Sequence, residues 1–196
     1  MTLTPQILEI NKQKIIHSFP STLKQEVEVV VDFLWDKNFD IHPTVEQAVV
    51  LNGESLIIPG RLYFIIPTET MGNDLTELQQ TILRCLYLRH SNGFVRQQQL
   101  EKLIGKTDYF ITPFVFQLLG EYVIEILDII HLQITEKTLP NYIRFITENP
   151  KYWQQTESRM ASYWNEYYRI SHKKLTQYMG RKIINRIKQE LTHGKK

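Results

Sequence analysis

Cysteine is nearly missing from this chain of 196 residues, with Cys85 the single example. One thiol excludes an intramolecular disulfide and a multi-cysteine zinc site. It lies in an apolar run, where a buried free thiol is expected. Glycine is sparse too, and Gly53, Gly60 and Gly72 stand singly as turn residues, so no glycine-rich phosphate loop is present. The opening MTLTPQILEINKQK lacks a charged leader followed by an apolar core, so it does not read as a secretory signal. An uninterrupted apolar span is lacking as well. The stretch from Phe110 to Ile134 has the length to cross a bilayer, but Glu121, Glu125 and Asp128 interrupt it. Neither Gly-x-Ser-x-Gly nor His-Glu-x-x-His occurs, and His17, His42, His90, His131, His172 and His193 are scattered. A reduced, cytoplasmic setting and no cofactor are the resulting expectations.

What remains is ordinary globular material, 42% hydrophobic, 22% charged and 11% aromatic. Charge is unevenly placed. Residues 1–168 carry a net excess of acid, whereas residues 169–196 hold nine Lys/Arg against one acid, Glu190. A basic tail therefore follows an acidic body.

Periodicity predicts a mainly α protein, a helical bundle with a small antiparallel β-hairpin or three-strand element near residues 45–66. Residues 5–18 and 21–36 read as helices, the second with Leu23, Val27, Val30, Val31 and Leu34 on one face and Ser21 as its cap. Asn52-Gly53 between two β-branched runs predicts a type I′ hairpin turn, and Pro59-Gly60 interrupts the second run. Thr76 and Gln79 match a capping box. Helices follow to about His90, over 94–104, from Thr112-Pro113 onward, and from Pro150 to about Leu191, where Gly180 marks a kink or break. The segments 1–70, 71–150 and 151–196 are expected to form one compact unit.

In the central segment Gln117, Glu121, Glu125 and Asp128 fall within about an 80° arc of one continuous helix. The favoured reading is a structural ion-pair seam, with Arg84, Arg89 and Arg96 from the preceding helices neutralising Glu121, Glu125 and Asp128 where they are not in water. A metal site would use Asp128 with His131 and Glu121 with Glu125. Carboxylate-bridged bundles need a second Glu-x-x-His copy, which this chain lacks. Paired-carboxylate hydrolysis needs two acids flanking a sugar, which adjacent turns of one helix do not provide.

The run from Leu75 to Leu127, a long helix, a short one around QLEKLIG and a third, resembles the spacing of winged-helix DNA-binding domains. That likeness would make residues 111–122 the recognition helix. They contain no Arg or Lys, and only Thr112 and Gln117 precede Glu121 as base-reading groups, so reading DNA through this helix is not expected. GFVRQQQLEKLI with the helix after it also resembles a HEAT-like pair, but a solenoid needs several stacked units.

The end of the chain is aromatic and basic. Trp153, Met160, Trp164 and Tyr167 are expected as a core stripe, with Tyr163 and Tyr168 left for either core or interface. Ile183, Ile184, Ile187 and Leu191 form the apolar side of a last helix. The absence of catalytic motifs and this tail favour a non-enzymatic cytoplasmic binding or regulatory protein. Its partner-binding residues would be Tyr163, Tyr168, Lys173, Lys174, Arg181, Arg186 and Lys188, and its partner an acidic protein. The alternatives are nucleic-acid binding through the basic C-terminal helix, and an enzyme or metal protein built on the acidic stripe.

Overall fold

The computed structural model describes residues 5–35, 46–63 and 65–193. The expected start of the β element at residue 45, His42 and the Lys195-Lys196 end lie outside them. The chain forms two compact units, Met1–Gln99 and Leu100–Lys196. The protein is mainly helical with one two-stranded antiparallel sheet, as periodicity predicts.

The first unit contains α1 (Pro5–Ile16), α2 (Lys24–Trp35), a hairpin of β1 (Glu46–Leu51) and β2 (Glu54–Pro59), α3 (Glu77–Tyr87) and the start of α4 (Gly93–Glu101). Asn52 and Gly53 both have positive φ, 56° and 81°, as the tight turn requires. The register pairs Val49 with Leu56 and Leu51 with Glu54. Alternation then sends Val49, Leu51, Leu56 and Ile58 into the core and leaves Val50 and Ile57 partly exposed. The valines of α2 bury Val27, Val30, Val31 and Leu34 as the three-and-four spacing predicts, so tertiary packing overrides their β preference. Ser21 does not cap this helix. A 3₁₀ turn, Ser21–Leu23, precedes it, and the backbone N–H of Ser21 donates to the Glu54 carboxylate at 2.9 and 3.1 Å. The Thr76–Gln79 capping box of α3 forms in both directions, at 3.0 and 3.3 Å. Among the described residues no third strand follows Pro59. Leu62 instead makes an isolated parallel bridge with His90.

Arg89 fixes the end of the hairpin. Its guanidinium donates to the backbone carbonyls of Pro59, at 3.0 Å, and Gly60, and its side chain is buried. Arg96 does the same for the turn after α3, donating to His90 O at 2.8 Å and Ser91 O at 2.9 Å.

The regular structure among the described residues of the second unit is all helical: a 3₁₀ turn at Tyr109–Ile111, α5 (Thr112–Leu118), α6 (Ile124–Gln133), α7 (Leu139–Glu148), α8 (Pro150–Tyr163) with the π turn that ends it, a 3₁₀ turn at Leu175–Gln177 and α9 (Met179–His193). The single central helix expected from residue 112 is therefore two. The chain leaves α5 at Leu119-Gly120 and reaches α6 through Val123 in extended backbone, φ −86° and ψ 106°. Gly120 forms helix poorly and Val123 is β-branched, which accounts for the break. It removes the common axis on which the 80° stripe was drawn. The long C-terminal helix is also two, separated at 169–178 and not at Gly180. Phe116 is the hub of this core, with ring centroids 5.0 Å from Phe145, 5.4 Å from Tyr152 and 5.9 Å from Trp153. Against α6, α7 and α8 lies α9, with Ile183, Ile184 and Ile187 fully buried.

Candidate functional site

The site is built where α8 ends. The last turns of α8 widen into a π-helical turn, Trp164–Tyr168. Such turns put the side-chain phase back by about one residue and recur at functional sites. Tyr167, expected in the core stripe with Met160 and Trp164, is rotated outward by this shift and is 59% exposed. Its ring lies 6.1 Å from that of Tyr163 and 5.6 Å from that of Tyr122, and Tyr122 is 5.9 Å from Tyr163. Three tyrosines thus touch one another at the surface, two from the end of α8 and one from the break between α5 and α6.

The loop after the π turn is clasped shut. The Trp164 indole N–H donates to the His172 carbonyl at 2.9 Å, the His172 N–H donates to Tyr168 O at 2.7 Å, and the Ser171 hydroxyl donates to Tyr168 O at 3.1 Å. This holds Ile170 outward, 95% exposed. Leaving an isoleucine in water forgoes about 1.5–3 kcal/mol of burial. Arg169, Lys173 and Lys174 flank it and are exposed.

Tyr168 stacks on buried Tyr178 at 5.3 Å, and its hydroxyl donates to the Tyr122 carbonyl. Desolvation and the nearby Glu125 charge push its hydroxyl above the ordinary tyrosine range, so it stays a donor at neutral pH. Tyr163 and Tyr168 both meet Tyr122, the first through its ring and the second through its hydroxyl, while Lys173 and Lys174 are exposed on the loop that follows.

Arg181 and Lys188 are otherwise engaged. Both donate to Glu157 of α8, at 2.7 and 2.6 Å, and Lys188 also lies 5.9 Å above the Trp153 ring. Burial raises the Glu157 pKa, but the hydrogen bonds and charges of Lys188 and Arg181 outweigh it and hold the carboxyl below its ordinary value. Arg186 is half-buried.

Sequence reasoning missed Tyr122, Tyr167 and Ile170. Gly120 in an otherwise apolar run was the available signal for Tyr122, since it marks the turn that brings this ring to the surface. No residue pattern announces the π turn.

Of the acidic stripe, Glu121 is buried while Glu125 and Asp128 are exposed. Among the described residues no group of three or more His, Cys, Asp and Glu could hold a metal ion. A cleft of about 210 Å³ in the first unit has Phe19 and Leu56 as its apolar floor. Its carboxylate, Glu54, is spent on Ser21. No helix among the described residues is long and apolar enough to cross a membrane. The chain matches no protein-family model, no curated protein and no solved structure.

Proposed function

We propose that this is a cytoplasmic binding or regulatory protein that engages another protein through the second unit, at the surface formed by Tyr122, Tyr163, Tyr167, Ile170, Lys173 and Lys174. The observation that carries this reading is Ile170, 95% exposed on a bonded loop three residues after Tyr167, with Tyr122 and Tyr167 in ring contact and each more than half exposed. Exposed tyrosines with cations at their edge have the composition of an interface centre. A reduced setting agrees with a single, buried thiol. Binding of nucleic acid by the basic tail loses support from the ion pairs of Arg181 and Lys188, which commit two of the nine tail cations to Glu157.

The test is site-specific photo-cross-linking from position 170. A protein captured there is identified, purified and titrated against the wild-type chain and the Lys173→Glu/Lys174→Glu variant. Binding that weakens with salt and is lost on charge reversal supports the surface. Unchanged affinity on reversal removes it.

A further inference from the structure

We propose that the cleft of the first unit binds a small carboxylate with an apolar body, an inference independent of the protein-binding surface above. Ile16 and His17 line the cleft from the end of α1, Pro20 and Lys24 from the chain that enters α2, and Phe19 and Leu56 lie beneath. Its shape is held without a ligand. The His17 carbonyl accepts from the Ile57 N–H at 3.2 Å, and the Ser21 N–H donates to the Glu54 carboxylate at 2.9 and 3.1 Å. The end of α1 and the turn before α2 are thereby tied to the same strand, β2, and neither can swing in to close the gap without breaking these bonds. The His17 ring is tied as well, its Nδ1 donating to the Gln13 carbonyl at 2.6 Å. A preformed cleft loses little on ordering when a ligand enters.

Size and charge select the occupant. The volume is about 210 Å³. At about 30 Å³ per water that is room for about seven waters, enough for one ring or short chain with one head group. The apolar body would cover Ile16 and Pro20, which are only half-buried. Besides His17, the ionisable side chains that line the cleft are Lys24 and Glu54. Both Glu54 oxygens already accept from Ser21, so an incoming ammonium finds a carboxylate in use. Lys24 has only Glu28 near it, at 3.8 Å with both side chains exposed, a contact of little strength. An incoming carboxylate therefore finds an ammonium it can hold without displacing a strong partner.

The experiment is an NMR titration of the isotope-labelled full chain with benzoate, benzamide, benzylamine and acetate. The first three share a ring and differ in the charge of the head group, and acetate keeps the charge without the ring. Benzoate should shift the amide signals of His17, Lys24 and Ser55 and bind about five- to tenfold more tightly than benzamide or benzylamine, the scale of one charge-assisted contact that is partly open to water. Acetate should bind more weakly than benzoate. The Lys24 side chain is 61% exposed, so Lys24→Met and Lys24→Glu should melt with wild type. Lys24→Met should erase the advantage of benzoate over benzamide, and Lys24→Glu should turn the preference to benzylamine. No shift with any probe, equal binding of benzoate and benzamide or of benzoate and acetate by wild type, shifts confined to residues outside the cleft, or an advantage for benzoate that survives Lys24→Met overturns the proposal.

Discussion

Replacing Glu157 by Gln tests how the basic last helix is fastened. The carboxylate accepts from Arg181 at 2.7 Å and Lys188 at 2.6 Å, both to one oxygen, and its side chain is 24% exposed. Fully exposed pairs contribute about 0–1 kcal/mol and hydrogen bonds to charged groups about 1.5–3, so this half-sheltered pair of contacts should contribute about 1–2 kcal/mol. For a chain of this length that is a fall in Tm of roughly 2–8 °C by calorimetry. The pH dependence has a definite sign. Glu157 titrates below its ordinary value near 4.5 in the folded protein. Its contribution is therefore fully present above that value and is lost as pH falls through the folded pKa. The gap between wild type and Glu157→Gln should be widest near pH 7 and close under strong acid. Equal melting at pH 7, or a gap that stays constant into strong acid, refutes the reasoning.

Tyr178→Phe should leave stability unchanged or raise it by up to about 1 kcal/mol in urea unfolding, because the Tyr178 hydroxyl is buried with no hydrogen-bond partner. Gly180→Ala should destabilise by about 1–3 kcal/mol less the gain in helix propensity, since a Cβ there stands 2.7 Å from Met160 Cγ and 3.0 Å from Tyr178 Cε1; a thermal melt equal to wild type would show that Met160 moves aside freely. Arg89→Met should cost about 3 kcal/mol or more, as it strips the donor from two buried carbonyls, and should speed hydrogen exchange at Leu62, whose N–H donates to Arg89 O.

Local rules read the first unit well because its signals are local. Asn52-Gly53 demands positive φ, and Thr76 with Gln79 closes a capping box. The valines of α2 keep helical spacing, which survives their unfavourable propensity. The second unit was less legible. Its central segment is apolar on nearly every side, so periodicity cannot show where one helix stops, and only Gly120 betrays the break. The surface depends on that break and on the π turn. The first carries Tyr122 to the rings of Tyr163 and Tyr167, and the second turns Tyr167 out of the core phase it holds in sequence. Lys173 and Lys174 were legible as free cations. Arg181 and Lys188 looked the same in sequence, because their distance from Glu157 along the chain, 24 and 31 residues, hides the contact.

That difference among cations has a consequence for every charge-reversal experiment on the tail. Arg181 and Lys188 fasten α9 to α8, so reversing either places two carboxylates against each other in a half-sheltered site and should lower Tm. Lys173 and Lys174 have no such contact with Glu157 and lie exposed on the loop before α9, so reversing them should keep Tm within about 1–2 °C of wild type per residue, the scale of surface substitutions. Binding and melting must therefore be measured on the same variants. A partner lost with Arg181→Glu but retained with Lys173→Glu/Lys174→Glu reports a loosened helix, whereas the reverse pattern with unchanged melting assigns the contact to the loop. If both pairs shift melting equally, the division between fastened and free cations is wrong, and the surface must be redrawn to include the outer face of α9.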